Sequence, residues 1–394
     1  MDKNIKDVKQ PRMVKAVSGG TFVLLGGFII LFGGLGYVMG IDKVFSVMMK
    51  TGFDVLINTS FYIMAVAILA GAAAALLSEF GVIALVNKII SPLMRPLFGL
   101  PGAAALGAVT TYISDNPAIL SLAEDEGFDK YFTKAEKATY TNLGTTFGMG
   151  LIVTAYMLSL GKEYFGAVLV GNIAAVFGGI VSVRLMLWAA KKYYKEDRKF
   201  KIDVVKEGPE MRQIRDGGVF ERFMSAMMDG AKSGVSLGLA CASGTVLICT
   251  FVMILTFGPA GENGEYLGVA YEGIKLLPAI GNFGPVAWVA NILWGFGNPE
   301  LLAFPFTALG AVGSAMGLTK GFIDAGFATA QTVAVFTGMG ITMSGFLSTH
   351  IGMLGALKQE HFTKQAIGFH LVGGLAAGVF ANYLFLLLKM VGLI

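Results

Sequence analysis

The chain has 394 residues, of which 55% are apolar and 14% charged, with a mean hydropathy of +0.69. An ordinary soluble domain carries about 25% charged residues, so this composition excludes a water-soluble globule. The net charge of +4 does not point to nucleic acid, because the basic residues are densest at the N-terminus and at 191–222, as positive-inside topology requires. The 54 glycines show no G-X-Y period, so collagen is excluded and the glycines serve close packing or breaking of membrane helices.

In chain order, Lys3, Lys6, Lys9, Arg12 and Lys15 precede an apolar run over 17–41. The run is too long for a signal peptide and no A-x-A site follows it, so it reads as a retained transmembrane helix with a cytoplasmic N-terminus in the plasma (inner) membrane. Further stretches close to the roughly 20 residues of a crossing lie at 55–78, 138–160, 164–189, 232–257, 326–350 and 364–392. Two others, 102–124 and 284–316, are interrupted by Asp115-Asn116-Pro117 and Asn298-Pro299-Glu300. Proline lacks an N–H and biases the preceding residue away from helical angles, so each tripeptide ends one half-helix and starts another. Asparagine is then the N-cap and proline the first helical residue. Amphipathic segments at 80–97 and 269–281 precede the two interrupted runs.

Treated as re-entrant hairpins, the interrupted runs put both basic blocks in the cytoplasm and the acidic loop Glu262–Glu272 outside; treated as full crossings, they put the blocks on opposite sides. The positive-inside rule selects the hairpins. The two halves are then inverted, and short similarities support this: SDNPAILSLA parallels GFGNPELLAF with an offset of 182, and the GMG triplets at 148–150 and 338–340 are 190 apart. Inverted repeats with paired discontinuous segments point to a midplane site in secondary transporters.

That symmetry would gather Ser114, Asp115 and Asn116 around one cavity with Asn298 and Glu300. Asp115 and Glu300 read either as coupling-ion groups, the default for an ionisable side chain at membrane depth, or as helix caps answering the dipole. Thr141, Asn142, Thr145 and Thr146 form a polar stripe in the first half, with Gln331 and Thr332 in the second; they read either as cavity lining for a solute or as interhelical glue. The GMG triplets read as packing or hinge points. His350, His361 and His370 read as packed or interfacial. Cys241 and Cys249, eight residues apart without CxxC, support neither a disulfide framework nor a zinc site. HExxH, Walker A and GxSxG do not occur, so no enzyme and no cofactor is expected.

The run Pro92-Leu93-Met94-Arg95-Pro96-Leu97-Phe98-Gly99-Leu100-Pro101-Gly102, an amphipathic helix ending in a Pro/Gly turn before a small-residue half-helix, resembles the nucleoside recognition (gate) domain family. The resemblance spans 55–190, with a weaker echo in 225–350. That family includes concentrative nucleoside transporters, the membrane part of ferrous-iron transporters and spore-maturation membrane proteins, so the resemblance implies an architecture and a transport role without naming a solute. Asp115-Asn116-Pro117 replaces the Gln/Glu-rich tip of the nucleoside transporters.

The expected fold is an all-α polytopic transmembrane bundle with two inverted repeats, each containing a broken re-entrant hairpin. Its parts are an N-terminal helix and connector (1–54), a first gate-like repeat (55–190), a basic cytoplasmic linker (191–224) and a second repeat (225–394). The expected function is secondary active transport of a small polar solute coupled to H⁺ or Na⁺ by alternating access, with a non-transporting membrane scaffold as the alternative. Partners are the solute, the ion and membrane lipids, with a homo-oligomer left open and no nucleic acid.

Overall fold

The computed structural model describes residues 15–114, 131–195, 214–310 and 312–394. Every regular element among them is helical, and five helical stretches are long and apolar enough to cross a membrane: Gly19–Met39, Ile41–Glu79, Lys162–Tyr194, Val219–Thr256 and Glu360–Met390.

Helix α1 (Gly19–Met39) is apolar on all sides and largely exposed, which suits lipid contact. Gly40, at φ +85°, makes the tight turn into α2 (Ile41–Asp54). The helix continues through a π-helical turn (Val55–Ser60) into α3 (Phe61–Glu79). The amphipathic stretch anticipated at 80–97 is α4 (Val82–Phe98).

The apolar run 138–160 is broken into α6 (Tyr140–Phe147) and α7 (Gly150–Ser159), and α5 (Ala104–Ile113) precedes it; the rest of the anticipated first hairpin, 115–130, lies outside the described residues. Met149, at φ +57°, is the break. Then come α8 (Phe165–Tyr194) and α9 (Val219–Thr256). Helix α9 starts well before the apolar run at 232 and draws Arg222 from the basic block into its first turns. There Arg222 and Arg215 both bond the buried carboxylate of Glu79.

In the second half, α10 (Gly284–Trp294) is followed by a 3₁₀ turn (Pro299–Leu302), α11 (Ala303–Ala308), α12 (Val312–Asp324), α13 (Ala330–Thr342), α14 (Phe346–Ala356) and α15 (Thr363–Met390). The run 326–350 is therefore also broken, between Thr342 and Phe346.

Two antiparallel helix pairs carry the bundle. Along α3 and α9, Gly71 lies on Gly230, Gly234 on Ala67 and Gly238 on Met64, each glycine letting the partner backbone approach where a Cβ would collide. Along α8 and α15, Gly178 lies on Gly373, Ser182 on His370 and Gly166 on Ile394. Glu79, Arg215 and Arg222 mark one end of the first pair. At its other end, Ser46 Oγ and Lys50 Nζ bond Gly268 O, each at 2.7 Å. Arg215 and Arg222 and the acidic 262–272 loop thus sit at opposite ends.

The register of the two halves differs from the sequence similarities. Left-handed Gly99 ends α4 and left-handed Gly295, 196 positions later, ends α10. The 3₁₀ turn Lys162–Tyr164 before α8 and its counterpart Glu360–Phe362 before α15 are 198 apart. Offsets of 182 and 190 therefore do not describe the structural correspondence. In place of one amphipathic helix over 269–281 there are two short helices, Leu276–Gly281 and α10, and Asn298-Pro299-Glu300 lies in the turn that leads from α10 into α11. Helix α11 ends at Ala308 and α12 begins at Val312, and both return to the same ring of α13. Phe304 stacks on Phe336 at 4.0 Å, Val312 N donates to Ser344 O, and Phe322 returns to Phe336 at 6.2 Å.

Outside the membrane segments, Glu272 organises the loop between α9 and α10. Its carboxylate accepts N–H bonds from Ala260, Leu267, Gly268 and Val269 at 2.7–3.1 Å. Burial opposes its ionisation, but the four donors outweigh burial and hold the carboxyl below its ordinary pKa. A depressed folded-state pKa stabilises the fold above the unfolded value, about 4.3, and that contribution is lost as pH falls through the folded value. Hydrogen exchange at these four amides, corrected for intrinsic rates, should therefore speed up on acidification through the carboxylate range. In Glu272→Gln it should be fast at every pH.

Candidate functional site

Helices α5 and α12 both pack against α7. On the first, the Tyr112 ring lies on Gly150, and its hydroxyl donates to Asn172 Oδ1 at 2.7 Å and lies 3.0 Å from Thr154 Oγ1. On the second, Tyr156 OH donates to Met316 O at 3.0 Å and Cys249 Sγ to Ser314 O at 2.7 Å. These two bonds fasten the start of α12 to α7 and to α9.

Ser114 stands at the end of α5, with Oγ bonded to Thr110 O at 2.6 Å. It lines a cavity of about 600 Å³ between the α3/α9 pair and the first hairpin, together with Thr110, Ser78, Ser233 and Ser236. Asp115 and Asn116 lie outside the described residues.

Thr141, Asn142, Thr145 and Thr146 are fully buried on α6. Asn142 Nδ2 donates to Ser182 Oγ at 3.0 Å and to Ala366 O at 3.1 Å; Ser182 Oγ is 2.8 Å from His370 Nδ1; His370 Nε2 is 2.6 Å from Thr342 O. A carbonyl accepts only, so His370 Nε2 carries the proton and Nδ1 accepts from Ser182. This chain satisfies the last carbonyl of α13, just before its break. Ser344 Oγ, in the break, donates to Thr145 O at 2.8 Å. The two broken helices are therefore tied to each other.

Gln331 and Thr332 lie elsewhere, at the far end of α13. Gln331 Nε2 donates to Asn382 Oδ1 at 2.5 Å, and Asn382 Nδ2 to Leu293 O at 3.2 Å. Thr332 completes a capping box with Thr329, matching Thr133, which caps the turn Lys134–Lys137 196 positions earlier. Asn298 does occupy the N-cap position, but its side chain donates to Phe327 O at 3.3 Å rather than capping. Glu300 is half-buried, with no ion-pair partner among the described residues. The structure thus brings the α6 stripe to the breaks, and gathers Asn298, Gln331 and Thr332 at the base of the second hairpin.

Of the GMG triplets, 148–150 is a break, whereas 338–340 lies inside α13, where Gly338 admits Ala174. Sequence reasoning missed Ser182, Ser344, His350 and His370 as one group. They are spread over 189 positions, with no local motif. Cys249 is a free, buried thiol.

No family model matches the chain, and no curated protein matches it. Solved structures do match. The chain aligns with CNTnw, a concentrative nucleoside transporter, in an inward-facing substrate-bound state at 16% identity, covering 92% of this chain and 84% of that one with a TM-score of 0.56. It aligns with an outward-facing variant at 15%, covering 94% and 86% at 0.55, and with a variant in an intermediate state at 17%, covering 92% and 84% at 0.55. At such identity the likeness concerns the fold: this chain is a multi-pass helical membrane protein with the architecture of a concentrative nucleoside transporter.

Replacing Ser182 by Ala leaves His370 Nδ1 without its donor and removes one acceptor from Asn142. A buried unsatisfied group costs about 1–3 kcal/mol, so Ser182→Ala should lower the thermal unfolding midpoint in detergent, while exposed Ser236→Ala should leave it unchanged.

Proposed function

We propose that this protein is a secondary active transporter that carries a small polar solute across the plasma (inner) membrane by alternating access, coupled to H⁺ or Na⁺, with nucleosides the first solute class to test. One observation carries the reading: the cavity beside Ser114 lies between a glycine-packed helix pair and a hairpin arm, in a fold that CNTnw adopts in outward-facing, intermediate and inward-facing states. Two packed bodies with a gap between them can trade access by sliding, because each body keeps its own contacts while the gap opens on one side or the other.

In this reading the α3/α9 pair is the scaffold and the hairpins with their broken helices are the moving core. Ser114, Asp115 and Asn116 meet the solute from the first hairpin, and the hydroxyls of the cavity orient it. The α6 stripe of Thr141, Asn142, Thr145 and Thr146 supports the first break. Asn298, Gln331 and Thr332 hold the base of the second hairpin, where Glu300 is the coupling-ion candidate. The basic end of the bundle is cytoplasmic, with the N-terminus on the same side, so the cavity opens inward.

Purified protein in liposomes, assayed with a nucleoside panel and other small polar metabolites under imposed H⁺ or Na⁺ gradients, should accumulate at least one of them under one gradient. Absence of gradient-dependent flux for every member of the panel, with the protein folded and oriented, would count against transport and favour a membrane scaffold.

A further inference from the structure

A second cavity, of about 570 Å³, lies between α10, α11 and α15, and every side chain that lines it is apolar. The one side-chain N–H on its walls, the indole of Trp294, is already donated to Leu375 O at 3.2 Å. Met343, fully buried in the break between α13 and α14, lines the cavity from within, while Ile280, Val289 and Phe306 of its lining are exposed. Water finds no partners in such a space, and an empty one forfeits the contacts of every side chain around it. The adjoining surface carries exposed Trp288 and Ile292, which in a membrane-spanning chain suits acyl chains, as apolar as leucine.

The first repeat is built differently at the corresponding place. Arg184 bonds the carbonyls of Pro96 and Leu97 as Asn382, 198 positions later, bonds those of Ile292 and Leu293, so α4 and α10 are held alike. Phe98 and Phe147 then meet edge to face, with ring centroids 6.1 Å apart, whereas their counterparts 196 positions later, Trp294 and Met343, line the cavity. One charged group stands near the rim. Ile280 belongs to the short helix Leu276–Gly281, whose N-cap is Lys275, so roughly 8 Å of helix separate the two at 1.5 Å per residue. Lys275 N donates to Phe257 O at 3.0 Å, and α9 ends at Thr256, so Lys275 stands where a crossing helix ends and the headgroup region begins. Its side chain is exposed, with no ion-pair partner among the described residues. Glu272, three residues before it, is spent on four backbone amides.

We propose that this cavity is the binding site of one phospholipid, with an acyl chain against Trp294 and Met343 and the phosphate at Lys275. This does not rest on the transport reading. Any apolar chain of the bilayer can wet the cavity; the ammonium is what selects a lipid that carries a phosphate, whose negative charge complements it at the headgroup level. The glycerol backbone and the first methylenes cover the distance from Lys275 to Ile280, and the rest of the chain fills the apolar space. The chain then supplies the packing that the Phe147 ring supplies in the first repeat. Because it rests on Met343, the bound lipid bears directly on the second helix break.

The chain has three tryptophans, so Trp188→Phe and Trp288→Phe, both at exposed positions, leave Trp294 as the sole reporter in the full-length protein. In detergent micelles carrying phosphatidylglycerol brominated in mid-chain, Trp294 fluorescence should be quenched saturably. Half-quenching should come at a mole fraction about fivefold below that needed with brominated diacylglycerol, which has the chains and no phosphate. Lys275→Gln should abolish that difference, and Val289→Phe, which narrows the rim, should weaken quenching by both lipids. Unbrominated phosphatidylglycerol should raise the thermal unfolding midpoint of the wild type and leave that of Lys275→Gln unchanged. Native mass spectrometry of the wild type, which needs no variant, should show one retained phosphatidylglycerol. Quenching that grows in proportion to mole fraction without saturating, equal quenching by the two lipids, an undiminished preference in Lys275→Gln, or no retained lipid would each overturn the proposal.

Discussion

A helix broken inside a membrane exposes carbonyls that no water can satisfy, and the rest of this structure is arranged around meeting that requirement. The carbonyl of Thr342 is met by His370 and that of Thr145 by Ser344. Each tie runs between elements far apart in sequence, so the breaks are points where several helices are fastened together. A helix that carries its own hydrogen bonds can slide on its neighbour; one whose end is fastened to a partner moves with that partner. The broken helices α6 and α13 are thereby fastened together through α8 and α15.

The other body is held differently. Helices α3 and α9 approach through Gly71, Gly230, Gly234 and Gly238, and the contact there is van der Waals packing of backbone on backbone, with a charged clasp of Glu79, Arg215 and Arg222 at one end. Such a pair is stiff along its length and presents a small-residue surface to the hairpin opposite. The cavity beside Ser114 is the space between the two kinds of attachment.

Much of the architecture was legible in the sequence because burial and breaking leave local marks. Hydropathy located the long helices, and Pro92 to Gly102 marked the turn out of α4. The repeat register was not legible, because GMG and NP are short patterns in a glycine-rich chain. Met149 takes a positive φ and breaks its helix, while Met339 sits within α13. The signal that would have aligned the halves was the pair of helix-ending glycines, Gly99 and Gly295, together with the capping threonines, Thr133 and Thr329. The polar stripe of α6 was recognised as buried, but its partners Ser182 and His370 come from α8 and α15, and no spacing rule joins them. Gln331 and Thr332 were grouped with that stripe by the wrong register, whereas they cap and brace the base of the second hairpin.

The central claim is that the hairpin body moves against the α3/α9 pair. The direct measurement is a spin-label distance between Ser114 on the first hairpin and Ser236 on α9, both facing the cavity, in the protein reconstituted in liposomes with Cys241 and Cys249 replaced. The account predicts two distance populations whose ratio shifts when a transported solute or the coupling gradient is applied, while a label pair along α3 and α9 stays fixed. A single distance that neither solute nor gradient alters would contradict it.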